Sequence, residues 1–226
     1  MSEWIASDRA EGNSEDLPLT LIFPAGWQLG KPDLELVMSE PFLVPADGPD
    51  VYQHFIIPVG LTDNRLASAV EFRPGAPEVV HHSITYFDTK GRGRELDAED
   101  PQPGYSRLGS PGFAVSGWLG GWGPRGQPRR LPQGLGRPLA KGSDIVLEIH
   151  YHPIRRAVFD QSRLGLYFAP SSSTHKTTEI MVADIDRHIS AGAPRHHHHA
   201  ELKIPVDTLC SMQRRTCMCW AKKSRQ

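Results

Sequence analysis

The sequence predicts an all-β fold, a sandwich or a barrel, and two observations predict it. The 226 residues include 21 Gly and 20 Pro, spread along the chain rather than gathered into one linker, and such punctuation breaks helices and favours short strands joined by turns. Between the turns lie short runs of apolar and β-branched residues, several alternating with polar ones, at the spacing of a sandwich or barrel. A hydrophobic content of 38% is enough for a core. Lys+Arg number 25 against 26 Asp+Glu, so no strongly basic face for nucleic acid or an anionic membrane is expected. No run of about 18 apolar residues is present, so no membrane-spanning helix is expected, and residues 1–18 do not read as a secretion signal.

Taken in order, residues 4–11 read as the end of a helix and residues 1–16 together as a linker or the tail of an upstream module. Leu19–Phe23 is a β-rich run stopped by Pro24, and Asp33–Val37 alternates as a half-buried strand does. Tyr52–Val59, Ala67–Phe72 and Val79–Phe87 continue the pattern across turns rich in Pro, Asp and Gly. Thr89–Arg137 reads as mostly loop, and a loop of that length in a compact domain is usually functional or an excursion. Its aromatic Trp118 and Trp122, set among glycines, suit either a stacking platform for a ligand or a plug over the open end of a sandwich. Regular alternation returns at 143–153, with Ile145, Leu147, Ile149 and Tyr151 on one face and Val146, Glu148, His150 and His152 on the other. Leu164–Phe168 makes a further strand. A polar run, Ser171–Thr174, divides a first domain, 17–172, from a second β unit begun over 173–209 by Ile180–Ile185 and Ala200–Val206.

Eleven histidines exceed what a core needs, and three groups stand out: His81-His82, His150 with His152, and His196–His199. Imidazole suits copper or zinc, and with every Cys confined to residues 210–219, an all-nitrogen site points to one of those two. Two consecutive residues of a regular strand face opposite ways, so shared ligation by His81 and His82 requires a strand end, a bulge, or different ring nitrogens. Otherwise His82 is a core histidine and His81 an exposed one. His150, on a strand distant in sequence, supplies the third ligand that a site built across a sheet needs. His152 is then a fourth ligand, a group that orients one, or an exposed side chain. Glu148 is a neighbouring carboxylate suited to orienting a ligand. The run His196–His199 reads as a solvated strand.

Together Val-His81-His82-Ser-Ile, Trp122 with Arg130-Leu-Pro-Gln-Gly-Leu-Gly, and Lys141-Gly-Ser-Asp-Ile-Val-Leu-Glu-Ile-His150-Tyr resemble the copper type II, ascorbate-dependent monooxygenases in their bacterial form, the family of peptidylglycine alpha-hydroxylating and dopamine beta-monooxygenase. The resemblance covers residues 19–209. It implies a jelly-roll-like antiparallel β-sandwich followed by a second sandwich, here incomplete, each holding one copper. The first copper, with His81, His82 and His150 as ligands by matching motif, transfers electrons. The second binds oxygen beside a C–H bond of a small-molecule or peptide substrate. The electron donor is ascorbate or a redox protein, and the parent protein is periplasmic or secreted. A non-catalytic copper-binding or ligand-binding sandwich is the alternative.

The resemblance stops before the second site, where a Pro-His-Met-His motif is expected. Residues 210–226 instead hold Cys210, Cys217 and Cys219 in an anomalous tail. One permissible back-translation of Gln213–Gln226, read one frame over, gives Ala-Pro-His-Met-His-Val-Leu-Gly-Lys. The tail therefore reads as a frameshifted or truncated second site, and these 226 residues as inactive in hydroxylation by themselves. The alternative is a natural terminus whose Cys217-Met-Cys219 binds a soft metal ion.

Overall fold

The computed structural model describes residues 26–173 without a break, together with 5, 7, 12–16, 175–178, 180, 182, 190–192, 195, 197 and 199–204. The chain divides into two units, Met1–Glu179 and Ile180–Gln226. The first is an all-β sandwich of antiparallel sheets, as its turn-rich sequence predicts.

Among the described residues there are twelve strands: β1 (Leu34–Val37), β2 (Phe42–Val44), β3 (Val51–Pro58), β4 (Arg65–Arg73), β5 (Val80–Asp88), β6 (Tyr105–Ser106), β7 (Gly117–Trp122), β8 (Leu135–Leu139), β9 (Asp144–Tyr151), β10 (Val158–Asp160), β11 (Arg163–Phe168) and β12 (His175–Lys176). They form one sheet in the order β1-β11-β4-β8-β12, a second in the order β6-β3-β9-β5-β7, and a two-stranded ribbon of β2 and β10. All pairings are antiparallel except that of β12 with β8. Leu36, Phe72, Leu139, Leu164 and Leu166 of the first sheet share one apolar core with Phe55, Ile57, Val80, Leu119, Ile145, Leu147, Ile149 and Tyr151 of the second. Burial of this alternating set away from water is what drives the two sheets together.

Strand β9 shows the predicted alternation, yet all eight of its residues are buried. Its outer face is covered by the segment expected to be loop. Thr89–Arg137 in fact contains an α-helix, α1 (Arg92–Glu99), the strands β6 and β7, and the start of β8. Neither α1 nor β7 has a readable period: the helix is almost wholly polar, and β7 is Gly-Trp-Leu-Gly-Gly-Trp. Glycine is what lets β7 close on β5, since a Cβ at Gly117 would stand 2.3 Å from the Phe87 ring. Helix α1 lies against the outer face through Gly93, beside Ile56 and Val146, and is anchored by two hydrogen bonds from Arg94 to Asp144.

Trp118 meets Tyr86 edge-on and Trp122 lies tilted against Phe72, so both rings are engaged in packing on β7. The run Leu19–Phe23 and most of residues 4–11 lie outside the described residues, as does the tail from 205 onward. In the second unit, Ile180, Val182 and residues 200–204 are in no strand, and the rest of the two runs expected there lies outside the described residues.

Candidate metal centre

The site grows out of one irregularity in the pairing of β5 with β9. Val80 stands opposite Tyr151 and His82 opposite His150, so β5 advances two residues while β9 advances one, and His81 is the extra residue of a β-bulge. The bulge cancels the alternation that would send neighbouring side chains to opposite faces. On the far side of β9, Tyr52 of β3 is opposite His150, which makes Tyr52, His150 and His82 a row across the outer face of the sheet.

The three imidazoles converge through the same ring atom. Nδ1 of His81 is 3.1 Å from Nδ1 of His82 and 3.1 Å from Nδ1 of His150, and the remaining side of the triangle is 3.3 Å. Each Nδ1 carries either a proton or a lone pair. Of three mutual contacts at least one must therefore set like against like, and the cluster cannot satisfy itself with hydrogen bonds alone. A cation converts all three lone pairs into favourable contacts. The dimensions agree, because three corners of a tetrahedron with metal–nitrogen bonds of ~2.0 Å are spaced about 3.3 Å apart. His150 is buried, His82 half-buried and His81 exposed, so the cluster is reached from the His81 side.

Burial pushes the His82 and His150 pKa values below the ordinary histidine range, and the neighbouring imidazoles add to the effect. Asp50 opposes it at His150 without reversing it. Both rings are thus neutral at pH 7, as metal ligands must be.

Glu148 lies one row further along the same face of β9. Its Oε2 accepts hydrogen bonds from Tyr86 Oη at 3.0 Å and His54 Nε2 at 3.2 Å. Burial opposes its ionisation, but these donors and the nearby imidazoles outweigh it and hold its carboxyl below the usual range. His54 stacks on Tyr105, and its Nδ1 meets no partner among the described residues.

His152 follows the end of β9. Its backbone N–H donates to Val79 O, and its Nδ1 donates to Asp50 at 2.7 Å rather than joining the triad. In the His196–His199 run, only His197 and His199 are described; His199 is exposed beside Glu201.

Three neighbours escape the sequence reading: Asp50, Tyr52 and His54. Asp50 sits in a run that reads as a turn, and Tyr52 and His54 on a strand that reads as core. The alternation of Tyr52 and His54 does place them on one face of β3. That this face continues the row of His150 and Glu148 depends on strand order, which a single sequence does not carry.

Compared with protein-family models, with curated proteins and with solved structures, the chain matches none.

Proposed function

We propose that this chain binds one copper ion through His81, His82 and His150 and passes single electrons through it, as the electron-transfer half of a copper-dependent monooxygenase does. The observation that carries the reading is the triangle of Nδ1 atoms, in which hydrogen bonds alone leave at least one contact setting like against like. An all-imidazole set suits copper or zinc, and the ordered motifs that resemble the monooxygenase family favour copper. When bound, copper supplies one-electron chemistry that no side chain here offers.

The chain's own residues provide the setting. The bulge in β5 aims two adjacent histidines at one point, and the β5–β9 pairing sets the third against them. Tyr52 stacks on the His150 ring at 4.2 Å between centroids and holds it from turning. His81, on the exposed side, is where a donor such as ascorbate or a redox protein reaches the centre. Molecular oxygen and a small-molecule or peptide substrate belong to the hydroxylation that the resemblance implies. The same reading puts the parent protein in the periplasm or outside the cell.

One observation favours the plainer alternative, a non-catalytic copper-binding module: among the described residues this is the one cluster of His, Cys, Asp or Glu able to hold a metal ion. Metal analysis and electron paramagnetic resonance on the copper-loaded chain test the common core of both readings. One copper per chain with nitrogen-only coupling, lost in His150→Ala, is expected. Copper that survives His150→Ala and follows the terminal cysteines overturns it. Stopped-flow reduction of the copper-loaded chain then separates the two readings: rapid, reversible Cu(II)/Cu(I) cycling with ascorbate is expected of the electron-transfer half, and a copper that ascorbate does not reduce leaves the binding module.

A further inference from the structure

Asp50 carries no role in the site as built so far, yet both of its carboxylate oxygens are committed beside it. Oδ2 accepts from His150 Nε2 at 2.8 Å, and Oδ1 accepts from His152 Nδ1 at 2.7 Å. His150 is buried, whereas the His152 side chain is 68% exposed. The carboxylate is thus gripped from the solvent side by one histidine and presented to the back of the other.

We infer that Asp50 is the positioning residue of the metal centre, fixing His150 as the Nε2–H tautomer so that its Nδ1 lone pair points at His81 and His82. A neutral imidazole carries one proton, and a carboxylate, being an acceptor only, holds that proton on the nitrogen it faces. With Nε2 so occupied, Nδ1 has no choice but to be the ligand. Tyr52, stacked on the ring, limits its tilt, so hydrogen bond and stacking together leave His150 one orientation. The negative charge placed behind the ligand also favours the higher oxidation state of a bound metal ion. His152 orients Asp50 and does not touch the triad; its contribution is secondary to that of the carboxylate.

The inference rests on the metal-centre reading, but its first test does not need metal. Long-range nitrogen–proton spectra of the metal-free chain at pH 8 report the His150 tautomer directly. Wild type is expected to show Nε2–H, Asp50→Asn to keep it because the amide oxygen still accepts, and Asp50→Ala to shift toward a mixture or the Nδ1–H form. A His150 that is Nδ1–H in wild type, or unchanged in Asp50→Ala, overturns the inference whatever the chain binds.

The second test is copper itself, by competition titration and redox titration. Loss of the hydrogen-bonded carboxylate is expected to weaken copper binding by about 10- to 100-fold in Asp50→Ala. Asp50→Asn is expected to raise the Cu(II)/Cu(I) potential with a smaller loss of affinity, since it removes the charge but not the acceptor. His152→Ala is expected to stay within a few-fold of wild type. Equal potentials in wild type and Asp50→Asn, with folding intact by circular dichroism, overturn the electrostatic part. If wild type shows the Nε2–H tautomer but takes up no copper, the proposed function fails and the positioning role of Asp50 stands.

Discussion

Glu148 and His150 stand two residues apart on the same face of β9 and serve different ends. His150 turns Nδ1 to a cluster that could hold a metal ion, while Glu148 accepts hydrogen bonds from Tyr86 and His54. The two roles separate experimentally. Glu148→Ala leaves a phenol and an imidazole buried without their acceptor and is expected to cost about 3 kcal/mol in urea unfolding. It should still bind one copper per chain under conditions where it is folded. His150→Ala should do the reverse, losing the metal with a much smaller change in the stability of the metal-free chain. A Glu148→Ala variant that is stable but empty would make Glu148 part of the metal centre.

At the scale of the element, the decisive feature is the bulge in β5. Deleting His81 restores a regular register and leaves His82 facing His150 with no third imidazole; copper binding should vanish while the circular dichroism of the sandwich persists. Close approach of β7 to β5 is equally specific. Gly117→Ala drives a methyl into the Phe87 ring and is expected to destabilise by about 1–3 kcal/mol, read as a lower urea midpoint with an unchanged slope. These two elements also mark how far the sequence is legible. The strands β3, β4, β5, β9 and β11 announce themselves because apolar residues or their alternation survive in each. Strand β7 and helix α1 do not, because one closes through glycine and the other is polar, with Gly93 its one buried residue. His81, His82 and His150 are nameable as candidates because a His-His pair and a His on an apolar strand are uncommon on their own terms. The bulge that lets the pair converge is a property of pairing between strands, and no single strand spells it. Asp50 is invisible for the same reason: its distance from His150 along the chain is 100 residues.

Across the whole molecule, the cluster of His81, His82 and His150 lies on the outer face of one sheet at the end of β9, away from the apolar core between the sheets. Because an unfolded chain has no such triangle, binding stabilises the folded state by mass action. Free copper at 100 times its dissociation constant is expected to add about 2.7 kcal/mol to the unfolding free energy. A thermal melt with copper and then with excess chelator checks this, and the shift should be absent in His150→Ala. The sandwich keeps its core without the ion, since the buried set of Leu, Ile, Val and Phe is independent of the histidines. A chelated chain should therefore remain folded, with intact far-ultraviolet dichroism.

His82 and His150 lie 68 residues apart, and they meet only once β5 has settled beside β9 with its bulge in place. An ion that requires a finished pairing cannot help to form it. Copper should accordingly leave the refolding rate untouched and act wholly on the reverse process, prolonging the lifetime of the native chain. In stopped-flow experiments the metal becomes a timer for one step of assembly: its uptake reports the moment at which β5 and β9 lock into register.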